Sequence, residues 1–243
     1  MPISSNTLFH FTNKYEHLIN IIENNFRPHY ALEDFNTIFP GEAVNYLKLA
    51  IPMVSFCDIP LSQTAEHLST YGCYGIGLTK VWGKRNGITP VLYTYPESIL
   101  AGFLRKMIKG TQKLEDQERE FLYDISRFIK PYTGPLWRAY GIKENVVFYN
   151  EREWRYIPVD HKLLLMAEDF LNESERKKYN EDVSSRYSIE FKPDDIRYLI
   201  VSTEDEILTL VDDLKTLKSK ISEEKLTILI TRIIAAERIR EDF

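Results

Sequence analysis

Short aromatic and β-branched runs recur along this chain between stretches with helical spacing. That alternation constrains the fold more than any other feature. Thr7-Leu8-Phe9-His10-Phe11-Thr12 reads as a strand, as do 51–56, 73–78, 90–95, 146–157, 196–201 and 226–230. Between them, Tyr15, Leu18, Ile19 and Ile22 share a helical face, with Asn13 and Glu16 placed as a capping box. Ile207, Leu208, Leu210, Val211, Leu214 and Leu217 form a second stripe, with Thr203 as its cap. Phe121, Leu122, Ile125, Phe128 and Ile129 make a third, within a helical 97–130. Pro52 places 51–56 at an edge or a bulge. Residues 27–50 carry no regular pattern, and 131–141 is rich in turn formers. The fold class expected is α+β, a single domain over 1–243 with helical or irregular inserts at 97–145 and 162–188.

Charge narrows the function. The net charge of −5 argues against a protein that lives on nucleic acid, where a basic surface is the rule. Residues 81–162 reverse the sign, with 14 Lys/Arg against 10 Asp/Glu, and could face a phosphate-bearing ligand or present solvated helix faces. Cys57 and Cys73 match no zinc-site spacing, so no metal is expected, and both read as reduced thiols of a cytoplasmic protein. The N-terminus has no signal-peptide pattern, and no apolar run approaches a membrane span.

Three segments hold the residue types that do chemistry. On a continuous strand over 146–157, Glu151, Glu153 and Arg155 share one face, while Trp154 and Tyr156 anchor the other in the core. The charged face is then left to line a cleft or to make surface ion pairs. His10 and Thr12 share the polar face of the first strand, opposite Phe9 and Phe11, and suit ribose binding or proton transfer. The third segment runs from Val54 to Leu78. Its Gly72, Gly75 and Gly77 permit close approach by a ligand or by a neighbouring strand, and no phosphate-loop motif accompanies them. Cys57 beside Asp58 has the look of a nucleophile, but no activating base is adjacent in sequence.

Taken in order, Leu8–Thr12, Ile51-Pro52-Met53-Val54-Ser55-Phe56-Cys57-Asp58-Ile59-Pro60-Leu61-Ser62, His67, Tyr71–Leu78, Trp82, Pro90–Tyr93 and Glu151–Tyr156 resemble the AbiGi family of abortive-infection phage-resistance proteins. The resemblance covers roughly residues 6–160 and implies phage defence and a partner, a toxin or a phage component, without supplying a reaction. A more distant resemblance is to ADP-ribosyltransferases, whose sheet core is split and mixed or antiparallel. It implies NAD as substrate and a protein or nucleic-acid acceptor. Glu153 would steady the developing sugar cation and Glu151 would position or deprotonate the acceptor. His10 and Thr12 would hold the adenosine ribose. Ser55 or Tyr74 would supply the middle element, Tyr74 stacking on nicotinamide, and Arg155 completes the NAD-binding set. The match mixes types, since the histidine belongs to one branch of that family and the Glu-x-Glu to another. The leading expectation is therefore an ADP-ribosyltransferase-like defence protein. The alternative is a non-catalytic antitoxin or sensor.

Overall fold

The computed structural model describes residues 4–39, 48–110, 115–138, 141–160, 163–216 and 222–242. In chain order the elements are β1 (Thr7–Thr12), α1 (Tyr15–Asn24), β2 (His29–Asp34), β3 (Lys48–Cys57), α2 (Ala65–Tyr71), β4 (Tyr74–Thr79), α3 (Lys80–Arg85), β5 (Thr89–Pro90) and β6 (Leu92–Thr94). Then come α4 (Ile99–Gly110), α5 (Asp116–Ser126), β7 (Ile129–Pro131), β8 (Thr133–Arg138), β9 (Gly141–Val147), β10 (Glu153–Tyr156) and β11 (Leu165–Met166). The C-terminal part holds α6 (Ala167–Leu171), α7 (Glu173–Arg186), β12 (Ile196–Val201), α8 (Glu206–Thr216), α9 (Glu223–Ile230), β13 (Ile233–Ala235) and α10 (Ala236–Asp242). The α+β class stands, with parallel and antiparallel pairings mixed. Among the described residues, no helix is long and apolar enough to cross a membrane.

The chain condenses into two compact units. The first draws on residues 1–27, 55–88 and 188–243. Its sheet runs β13-β12-β4-β1, with Cys57 at the end of β3 beside Phe9. β12 is antiparallel to β4 and parallel to β13. Both faces of β1 are packed. Phe9 and Phe11 join Tyr198, Ile200 and Ile239 on one side. On the other, His10 meets the rings of Phe26 and Phe56, which also pack against Trp82.

The glycines of β4 serve this packing. Phe9 lies opposite Gly77, and Phe11 opposite Gly75. A methyl group at either glycine would sit 2.8 Å from the facing ring. The close approach is therefore made by a neighbouring strand. Gly72 adds a left-handed turn, φ +119°, pressed against the backbone of Thr12.

The second unit comprises residues 28–54 and 89–187. β2 pairs with β3 along its whole length, from His29↔Met53 to Asp34↔Lys48. β11 also pairs with β3, at Ala50 and Leu49. So β3 is an interior strand there despite Pro52, which is itself buried. One core cluster gathers Phe35, Ile38, Ile51, Met53, Ala101, Leu104, Ile129 and Ile157. A second seats Val183 of α7 against Tyr30 and Ala50. Tyr179 of the same helix packs beside it, and most of the remaining α7 residues are polar or charged.

Several expectations are corrected. Residues 29–34, assigned no element, form β2; residues 40–47 lie outside the described residues. The strand expected at 226–230 is α9, and the strand follows it as β13. Ser222 caps α9 through Lys225 N, and local helix signals there outweigh a short apolar run that does not by itself distinguish strand from helix. Asn13 does not cap α1, which begins after an extended Lys14 with no side-chain cap. Before α8, the Glu206 carboxylate accepts from Ser202 N; Leu217 lies outside the described residues. The 97–130 segment breaks into α4, α5 and β7, so Phe121 is exposed and Ile129 is buried in a strand. The expected strand at 90–95 divides at Val91, and 131–141 contains β8.

Gly77→Ala should cost about 1–3 kcal/mol, the range for overpacking a well-filled core. Chemical denaturation should show the loss, and a Phe9→Leu change in the same chain should recover part of it. An unchanged midpoint for Gly77→Ala would refute the ring–glycine fit.

Candidate functional site

The strand expected over 146–157 is interrupted. β9 stops at Val147, a 3-10 turn covers Phe148–Glu151, and Arg152 adopts φ 47°, ψ 47° before β10 resumes at Glu153. A left-handed non-glycine residue is uncommon and costs of order 1–3 kcal/mol. The turn breaks the alternation that placed Glu151 on the strand face of Glu153. It also frees Glu151 to reach the same partner from another direction.

The two faces of β10 are inverted relative to expectation. Glu153 and Arg155 are the buried pair, Arg155 with no exposed surface, whereas Trp154 and Tyr156 are half-buried. Ionised groups tolerate this only when paired and hydrogen-bonded. The Arg155 guanidinium donates through Nε to Glu153 Oε1 at 2.8 Å and through Nη2 to Glu33 Oε1 at 2.5 Å. Its Nη1 donates to the Arg127 carbonyl at 2.9 Å. Lys130 Nζ reaches Glu151 Oε2 at 2.8 Å and Glu153 Oε2 at 2.7 Å, and lies 4.5 Å over the Phe148 ring. The Glu153 N–H donates to the Tyr93 hydroxyl oxygen at 2.8 Å.

Among the described residues, three carboxylates thus gather around two cations. Burial drives Glu33 upward, offset in part by Arg155 and Lys130. Burial would also raise Glu153, but the adjacent charges of Arg155 and Lys130 hold it well below the usual carboxylate range. Burial alone would lower Lys130; Glu153 and Glu151 hold it well above an ordinary lysine. Arg155 is likewise raised, its burial outweighed by Glu153 and Glu33. Tyr93 is pushed up, first by burial and then by Glu153.

Glu33, Lys130 and Tyr93 are functional partners that the sequence reading missed. Glu33 fell in the unassigned 27–50 stretch. Lys130 carried a signal: it stands between Ile129 and Pro131, and two buried carboxylates beside one guanidinium call for a second cation.

The remaining candidates belong to the first unit. His10 lies in an aromatic setting, not on an open polar face, and its Nδ1 donates to the Ser55 carbonyl at 2.9 Å. Thr12 Oγ1 is 3.0 Å from His17 Nδ1. Tyr74 lines a cavity of about 490 Å³ with Tyr15, Glu16 and Glu206. Its hydroxyl donates to Glu206 at 2.8 Å, and its pKa is pushed up to about 12 by burial and by that bond. Cys57 is buried among apolar side chains and Cys73 is half-buried; neither is in a disulfide. Asp58 accepts from Ser5 N at 2.9 Å and pairs with Lys80 at 2.6 Å, so it ties down the N-terminal segment instead of serving a nucleophile. His10, Thr12 and Tyr74 each have a hydrogen-bond partner within the protein. Among the described residues, no cluster of His, Cys, Asp and Glu is arranged to hold a metal ion.

A buried ionic lock and a glycine–aromatic sheet, both on segments singled out by motif, are the setting for comparison with known proteins. The family model described as "Putative abortive phage resistance protein AbiGi, antitoxin" matches residues 24–202. An abortive phage resistance protein AbiGi of Lactococcus lactis subsp. cremoris is 32% identical over 245 residues, covering 83% of this chain and 96% of that protein. The chain belongs to the AbiGi family of abortive phage resistance proteins. No solved structure matches it.

Removing one partner of a buried ion pair costs roughly 3–5 kcal/mol. Glu153→Gln should lose stability on that scale. Glu33→Gln should lose clearly less, because burial already drives the Glu33 carboxyl towards its neutral form and the amide oxygen of Gln still accepts from Arg155. Urea midpoints at neutral pH decide this, and equal losses would refute the different standing of the two carboxyl groups. The acid limb adds a second check. With its folded pKa depressed, Glu153 contributes stability that is present above the unfolded carboxylate value of about 4.3 and lost as pH falls towards its folded value. Glu33, raised, has the opposite sign: its contribution is fullest below its unfolded value and is lost as pH rises through the folded one. Glu153→Gln should therefore flatten the loss of stability below about pH 4.3.

Proposed function

We propose that this protein acts in abortive phage resistance as a partner-binding protein of antitoxin type, and that the Glu151–Tyr156 segment is its internal framework, not its catalytic centre. The observation that carries this reading is a row of large apolar side chains on α4. Ile99 (80% exposed), Phe103 (57%) and Met107 (42%) recur four residues apart along one side of that helix. The other side places Ala101 and Leu104 in the core. Phe121 (64%) and Ile125 (37%) repeat the pattern on α5. Contiguous exposed apolar surface of this kind marks interaction sites, and helix faces with i, i+4 spacing suit a helix or groove on a partner. The antitoxin description of the family supplies the kind of partner, a toxin protein.

The ADP-ribosyltransferase reading, with its split-sheet fold and NAD as substrate, keeps one supporting feature: Tyr74 lines a cavity large enough for a small ligand. It requires the Glu153 carboxylate to leave both Lys130 and Arg155 before it could reach a ribose.

The experiment is capture of the neighbouring gene's product by the tagged protein, alongside a phage-plaque assay. Phe103→Asp and Phe121→Asp should each abolish capture and phage resistance while leaving the unfolding midpoint within about 0.5 kcal/mol, as expected for exposed positions. Retained capture in both variants would refute this surface. Transfer of label from NAD by the folded wild type would overturn the non-catalytic reading.

A further inference from the structure

We infer that the first unit carries a binding site for a nucleoside phosphate, in the cavity walled by Arg197, Arg232 and Arg238. The inference concerns the first unit alone and does not rest on the partner-binding reading, whose apolar rows lie in the second.

The cavity encloses about 660 Å³, within the range of small-molecule sites and ample for a mononucleotide. Its walls hold three arginines and no aspartate or glutamate. In a chain of net charge −5, that is a local reversal of sign. The parallel pairing of β12 and β13, Leu199 opposite Ile233, brings Arg197 and Arg232 to the same end of adjacent strands. Arg232 is held in place by donating through Nη1 to the carbonyls of Pro193 and Ile196. Arg238 is paired with Glu204, which discounts its charge. Arg197 is exposed and has no ion-pair partner among the described residues. Arg232 lies in the field of the Asp194 carboxylate, so the charge left without an acidic partner among the described residues rests on Arg197. Guanidinium groups suit phosphate through planar, paired donors.

The rest of the wall argues for more than a bare anion. Ile207 and Ile233 are apolar, and Ile233 lies opposite Leu199, two residues along β12 from Arg197. A phosphate head against Arg197 and Arg232 and a base against these isoleucine side chains would satisfy both surfaces. Nothing in this arrangement selects one base over another.

The test is a binding panel on the full chain by calorimetry and thermal shift: nucleoside mono-, di- and triphosphates, the parent nucleosides, and inorganic pyrophosphate. At least one nucleotide should bind and raise the melting temperature, weakening as salt rises. The nucleosides and pyrophosphate should bind at least tenfold more weakly. Arg197→Ala should weaken nucleotide binding by about 10- to 100-fold, the worth of a charged hydrogen bond, and Arg197→Glu by more. Because Arg197 is exposed, neither variant should change the melting temperature without ligand. Absence of binding across the panel at millimolar concentration would overturn the inference. So would equal binding of pyrophosphate and nucleotides, or unaltered affinity in Arg197→Glu.

Discussion

The Arg155 guanidinium, without exposed surface and clasped between Glu33 and Glu153, is the constraint on which the second unit depends. A buried guanidinium cannot shed its charge, so every group around it must accommodate that charge. β2 supplies Glu33, the residue after α5 supplies a carbonyl, and β7 supplies the lysine that balances the remaining carboxylates. Three stretches distant in sequence, β2, the junction of α5 with β7, and β10, are thereby fixed in one arrangement. Apolar replacements of similar volume would fill the space, but they would not specify direction. An ion network with three carboxylates and two cations tolerates few alternative registers of β2 against β3, where a slip by one residue would turn Glu33 to the opposite face.

This also explains which parts of the molecule were legible in sequence. β1, β4 and β12 were readable because their apolar content is high and turn residues bound them. The Glu151–Tyr156 motif was correctly marked as unusual, yet its environment was inverted, because alternation reports that two faces differ and not which one is buried. The assumption that aromatic side chains claim the core ahead of charges fails where a full complement of counter-charges exists. Those counter-charges, Glu33 and Lys130, lie 120 and 23 residues from Glu153 in sequence, and no local pattern ties them to it. The helix at 223–230 was misread for a different reason: its run of Leu, Thr and Ile suits either element, and the deciding Ser222 cap is a single residue.

Family membership and structure bear on different questions. The match places the chain among abortive phage resistance proteins, and several residues of the motifs that carry the resemblance make structural contacts. Asp58 of the Phe56–Leu61 run anchors the N-terminal segment, Gly75 and Gly77 receive phenylalanine rings, and Glu153 and Arg155 lock β10. Segments of high motif specificity need not be sites of chemistry. Here they record positions where backbone and charge leave little room for substitution, while the exposed apolar rows of α4 and α5, on which the proposed function rests, carry no motif.

The unit built around β1 and β4 is assembled from three separate stretches of chain, and β12 fills the place beside β4 only after about a hundred further residues have been made. During synthesis β4 therefore carries a bare edge, with backbone donors and acceptors available to any passing strand. Pairing over such a separation is slow. The nascent protein is thus most exposed to misassociation and proteolysis in the interval between the emergence of β4 and that of β12.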